Sequence, residues 1–93
     1  MLSYGEQLAH EIAYQLHCEK DKHKMTEDML AQKLGIHRVS VSRYLSGARD
    51  MPFSVFIDMC DALHVSIEDI IMKAKKHLKK ENNATASSHL EKR

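Results

Sequence analysis

The sequence predicts an all-α fold, a compact arrangement of five helices, and three observations carry the prediction. Apolar residues recur at three- and four-residue spacing through most of the chain. Side chains that cap helix starts precede these stretches at Ser3, Thr26, Asp50 and Ser66, and glycines follow two of them at Gly35 and Gly47. The one stretch that alternates like a strand, Val39-Ser40-Val41-Ser42, sorts better as a helix: a strand would put Arg43 in the middle of its apolar side.

The first helix starts at the capping box Ser3-Tyr4-Gly5-Glu6, in which serine and glutamate satisfy each other's orphan backbone donors. Leu8, Ile12 and Leu16, with Ala9 and Ala13 beside them, give it one core-facing stripe, which the charged run 19–24 ends. Thr26 caps a short second helix. Glu27 and Asp28 complement its dipole, Met25 staples against Leu30, and Leu30, Ala31 and Leu34 face inward until Gly35 supplies a left-handed end. In the third helix, residues 37–46, Val41, Tyr44 and Leu45 share a face and Val39, Ser42, Arg43 and Ser46 share the opposite one. Asp50 caps a fourth helix with Pro52 in its first turn, and Phe53, Phe56, Met59, Cys60 and Leu63 line its inner side; Tyr44, Phe53 and Phe56 are expected in the core. Ser66-Ile67-Glu68-Asp69 opens a fifth, whose stripe of Ile67, Ile70, Ile71, Ala74 and Leu78 runs to about Lys80. Ile67, Ile71, Ala74 and Leu78 serve equally well as core or as a contact with a second copy. Residues 81–93 lack apolar periodicity, so the expected organisation is one domain over 1–80 and a flexible polar tail over 81–93.

Composition narrows the function. Ninety-three residues hold one modest core. Cys18 and Cys60 belong to no paired motif, which gives a disulfide framework or zinc knuckle no support and suits a reducing, cytoplasmic setting. No apolar run approaches membrane-spanning length, and the N-terminus lacks the features of a signal peptide. The net charge of +1 conceals segregation: residues 33–49 carry Lys33, Arg38, Arg43 and Arg49 with no acid, residues 50–69 carry five acids with no base, and residues 70–80 carry five lysines with no acid. The chain can therefore present a basic face while nearly neutral in sum. The lysines at 73–80 could meet flanking phosphates, meet an acidic partner, or only keep the helix hydrated.

Two helices joined by a short turn containing glycine, the second with a polar and basic outer face, form a helix-turn-helix. Ala31, Leu34, Ile36, Val41 and Tyr44 set the angle between them, leaving the outer residues free to enter a major groove about 12 Å wide. From the first helix through MTEDMLAQKLGIHRVSVSRYLSGARDMPFSVFIDMCDALHVSIEDII, the chain resembles the phage repressor and Cro (Xre-like) helix-turn-helix family. The resemblance implies a lambda-repressor-like fold and a sequence-specific DNA-binding regulator, commonly a repressor and usually a homodimer on a double-stranded operator. It puts Arg38, Val39 and Arg43 where the recognition helix reaches base edges. It puts Ser40, Ser42, Ser46, Arg49 and Lys33 near phosphates. Two positions depart from the family pattern: His37 stands where serine or threonine caps the recognition helix, and Glu27 stands where an amide meets the DNA backbone. The contact at that second position therefore passes to Thr26 or to a backbone N–H.

A metal or catalytic role is not expected, nor any cofactor. His17-Cys18 and Cys60-x-x-x-His64 come nearest to ligand spacing, but Cys60 lies on a buried stripe and two residues do not fill a tetrahedral site. The rival class is a protein-interaction module, such as an antitoxin or a regulator-binding partner, to which the acidic run and the long last helix would be suited.

Overall fold

The computed structural model describes residues 1–91, with side chains through residue 81. Its elements are α1 (Tyr4–Lys22), α2 (Glu27–Leu34), α3 (Arg38–Ser46), α4 (Phe53–Ala62) and α5 (Ile67–Glu91), with no strand among the described residues. Helix α5 lies along α1, α2 packs against α3 and α4, and α1 also meets α3. Leu16, Leu30, Val41, Met59, Cys60, Leu63 and Ile70 are almost fully enclosed where these elements meet. Burial pushes the Cys60 thiol up to about 11, with the Glu68 charge adding to it, so this cysteine is an inert core residue.

The helix starts follow the cap chemistry. Ser3 and Glu6 form the reciprocal capping box at α1, each bond 3.1 Å long. Thr26 Oγ1 accepts the Met29 N–H at 3.1 Å, and Ser66 Oγ accepts the Asp69 N–H at 3.3 Å. The start of α4 differs from expectation. Asp50 caps nothing there, and Pro52, with extended backbone at φ −59 and ψ 149, precedes the first helical residue, Phe53. Proline has no N–H to donate and its ring fixes φ, so the position just before the first turn costs it nothing.

The helix ends are built from left-handed residues. Gly35, at φ 71, lets the Ile36 N–H return to the Ala31 carbonyl at 3.1 Å, and Gly47, at φ 81, turns the chain after α3. Lys24 and His64 do the same without being glycine, at φ 55 and 57: the Met25 N–H reaches Lys20 O at 3.0 Å and the Val65 N–H reaches Cys60 O at 2.9 Å. Each closes six-to-one hydrogen bonding at a helix end, which offsets the left-handed strain of a residue carrying Cβ.

Three further features depart from the periodic pattern. The run 19–24 does not end α1 before burial: Glu19 and Lys20 are both buried. Phe53 is 70% exposed and lies outside the core. The α5 backbone stays helical to Glu91, past the apolar stripe that ends near Lys80; the sequence there contains neither glycine nor proline to stop it.

Glu19 is buried because it has cations around it. Its carboxylate meets Lys22 at 3.2 Å, His23 at 3.6 Å and Lys73 of α5 at 3.7 Å. Burial alone would raise its pKa, but the Lys22 hydrogen bond and the charges of Lys73, Lys22 and His23 outweigh it, leaving the pKa below the ordinary 4.5. A carboxyl depressed in the folded state stabilises above its unfolded pKa and loses that contribution as pH falls through the folded value. Thermal stability followed from pH 7 downward is therefore expected to fall below about pH 4.5 more steeply in the natural chain than in Glu19→Gln. Equal slopes would remove Glu19 from the account.

Candidate nucleic-acid interface

Helices α2 and α3 meet through the turn Gly35-Ile36-His37, and their angle is set from inside by Leu30, Ala31 and Val41, with Leu34 and Ile36 partly buried beside them. At about 100° per residue, burying Val41, Tyr44 and Leu45 directs Val39, Arg43 and Ser46 most squarely outward. Val39 is 51% exposed, an apolar side chain facing solvent at the middle of the outer surface. Arg43 is exposed and makes no ion pair among the described residues, so its guanidinium stands free. Arg38 lies at the edge of this face, toward α2.

Arg38 is held by two acids. Its Nη1 lies 3.7 Å from Glu27 Oε1 and its Nε lies 3.4 Å from Asp28 Oδ1, while the side chain stays 57% exposed. The acids that complement the α2 dipole thus also neutralise the first arginine of α3. Glu27, which would repel a phosphate by itself, is offset in turn by Arg38. The long guanidinium remains able to rotate outward, because exposed pairs of this kind contribute only about 0–1 kcal/mol.

The remaining sequence-predicted residues divide by surroundings. His37 occupies the start of α3 with extended backbone and gives no side-chain cap, so the first-turn N–H groups there lack the bond a serine would accept. Thr26 is exposed but uses its hydroxyl as the α2 cap. Ser46 Oγ donates to the Arg43 carbonyl at 3.2 Å and accepts the Ala48 N–H at 3.3 Å, fixing the chain that leaves α3. Ser40 and Ser42 are half-buried, and Ser42 borders a recess of about 350 Å³ shared with His10, Tyr14 and His17 of α1. Arg49 lies with its guanidinium carbon 5.3 Å from the centre of the Tyr44 ring, a cation–π contact that holds it beside the end of α3. Lys33 is apart from this group: it borders a recess with Asp58, Asp61 and His64 on the α4 side.

Val39, Arg43 and Ser46 therefore lie along one exposed ridge, with Arg38 and Thr26 at its α2 edge, while Arg49 is held over Tyr44 on the side toward α1 and Lys33 borders a different recess. Sequence reasoning missed the partnership of Glu27 and Asp28 with Arg38. The signal was present: two acids in the first turn of one helix and a base at the first position of the next are adjacent whenever a helix-turn-helix closes. It also missed His10, whose ring packs about 3.8 Å from where a Cβ on Gly47 would stand and so braces the exit from α3.

Such a ridge, about one helix wide, with a free guanidinium, an exposed branched apolar group and hydroxyls, offers the donors and the methyl contact that base edges and phosphates accept. Among the described residues no helix is long and apolar enough to cross a membrane. Comparison with known proteins finds that a helix-turn-helix family model of the Cro/C1, Xre-like type matches residues 19–70, from the end of α1 through α4 to the first turn of α5. No curated protein and no solved structure matches the chain.

Proposed function

Because the chain belongs to the Cro/C1-type, Xre-like helix-turn-helix family of DNA-binding regulators, we propose that it is a cytoplasmic transcriptional repressor that reads an operator with α3. The observation that carries this reading is the outward ridge of Val39 and Arg43 on a helix whose other side is locked into the core. Arg43 donates two parallel bonds to guanine O6 and N7, Val39 packs on a thymine methyl, and Arg38 reaches the neighbouring base after leaving Glu27 and Asp28. Thr26, Ser40, Ser42, Ser46 and Arg49 serve the phosphates, and Lys33 adds general attraction from the α4 side. A homodimer on a palindromic site would place two copies of α3 about 34 Å apart. In this reading residues 1–80 form the DNA-binding domain, and α5 continues past it as a polar helix to Glu91.

Selection from a random duplex pool, followed by anisotropy titration of the winning sequence, tests the proposal. The expected result is an enriched, roughly palindromic site whose affinity falls with salt, with a log–log slope of about −0.9 for each phosphate neutralised. Failure to enrich any sequence would reject sequence-specific binding.

One observation favours a second reading, a protein-interaction module such as an antitoxin or a regulator-binding partner. Phe53 and Ile57 are exposed on α4, at 70% and 36%, beside the acidic Asp58 and Asp61. Under this reading a small partner co-purifies with the chain, and Phe53→Ser releases it without altering DNA binding.

A further inference from the structure

We propose that Glu11, His77 and Glu81 form a site for one divalent transition-metal ion of the zinc class, joining α1 to α5. The three residues are not neighbours in any sequence motif, since 66 positions separate Glu11 from His77. The fold brings them together. His77 Nδ1 lies 2.6 Å from Glu11 Oε2, and His77 Nε2 lies 3.6 Å from Glu81 Oε1. One donor atom from each residue falls within 4.8 Å of the other two.

The arrangement has the features such an ion needs. His77 and Glu81 stand at i and i+4 on α5, the spacing that puts two ligands on one helix face, and Glu11 supplies a third donor from the facing helix. Tetrahedral bonds of about 2.0–2.1 Å place ligand atoms about 3.3 Å apart; because one ion takes only one imidazole nitrogen and the two carboxylates address opposite ones, the ion binds Nε2 beside Glu81, and the Glu11 carboxylate turns from Nδ1 toward it while the ring stays in place. Tyr14 stacks on the imidazole, with ring centres 5.6 Å apart and planes at 24°, which limits the ring's rotation. Glu11 is mostly buried, its side chain 14% exposed, so its charge is less screened by water than that of a surface glutamate. Lys73, one turn before His77, is engaged by Glu19. The Tyr14 phenol is pushed above its usual range, first by its hydrogen bond with Cys18 and then by the Cys18 charge and burial, with Glu11 and Glu81 adding to it.

Ligand chemistry selects the metal class. One imidazole with two carboxylates suits Zn²⁺ and its first-row neighbours, whereas Mg²⁺ favours an all-oxygen octahedron and retains its waters. Three protein donors leave at least one position for water. The ion would clamp the first and last helices together, and this proposal stands independently of the DNA reading.

The test is calorimetric titration of the full chain, stripped with chelator, using zinc chloride and then magnesium chloride. The expected result is one zinc per chain with a micromolar Kd, at least tenfold weaker in Glu81→Gln and in His77→Ala, unchanged in Cys18→Ser and His64→Ala, with no saturable magnesium binding. Zinc also raises the melting temperature of the natural chain and not that of Glu81→Gln. Glu81 is exposed, so that variant keeps the fold and decides the matter if His77→Ala does not. Absence of saturable zinc binding, equal affinity in Glu81→Gln, or loss of binding in Cys18→Ser would each overturn the site.

Discussion

Replacing Arg43 by alanine is expected to weaken binding to the selected operator by about 1–3 kcal/mol, roughly 5- to 150-fold, and to flatten the preference among related sequences. The size follows from its setting. Arg43 points outward from a helix anchored by three buried residues and is not engaged by any acid among the described residues, so its whole donor fork is available to a base. Arg38 is in a different position: before reaching DNA it must leave Glu27 and Asp28, and removing it would leave those two carboxylates facing phosphates with no compensating charge. Arg38→Ala should therefore lower affinity for all duplexes in addition to changing preference. Arg43→Lys separates charge from geometry. Lysine keeps the attraction to phosphate but lacks the planar fork, so it should retain weak, salt-sensitive binding and lose base discrimination. Competition gel shifts with single-base operator variants check both. A uniform loss in Arg43→Ala, with the same ranking of sequences, would assign this arginine to the backbone.

Leu30→Ala should destabilise the fold by about 2–5 kcal/mol, the largest effect expected from a single truncation on α2. Leu30 has no exposed surface and sits in the core cluster with Val41 of α3 and Met59 of α4, so alanine leaves a cavity in the cluster that α2, α3 and α4 share. Against a total stability of about 5–15 kcal/mol for a single domain, that loss is a large fraction. Urea unfolding reads it as a lower midpoint with an unchanged slope. Leu30→Met, which nearly conserves volume, should cost less than about 1.5 kcal/mol. If alanine and methionine behaved alike, packing at this position would not be what fixes α2 against its neighbours.

Where local chemistry decides structure, the sequence was readable. The hydroxyl caps at Ser3, Thr26 and Ser66 and the left-handed glycines at 35 and 47 mark helix boundaries through interactions three to six residues long. A helix over 37–46 keeps Arg43 out of the core where a strand would not, and the buried set Val41, Tyr44 and Leu45 agrees with it. Other features depend on contacts that periodicity does not encode. Glu19 reads as a surface charge until α5 brings Lys73 beside it. Lys24 and His64 turn left-handed because the hydrogen bonds beyond them require it, although neither residue type signals such a turn. Phe53 fits an apolar stripe, yet at the first turn of α4 it lies at the mouth of a recess beside α1 and stays 70% exposed. At the candidate interface the sequence identified the exposed arginines, but a linear pattern treats both alike. The ion pairs from α2 distinguish them, because they form only after the turn folds α3 back against α2.

The central claim is that the outer face of α3 is what touches DNA, and an NMR titration of the isotopically labelled chain with its selected duplex tests it most directly. The account predicts that the strongest amide and side-chain perturbations fall on residues 37–49 and the start of α2, with the exposed face of α4 around Ile57 little changed. Perturbations centred on α4, with Val39 and Arg43 unmoved, would contradict it.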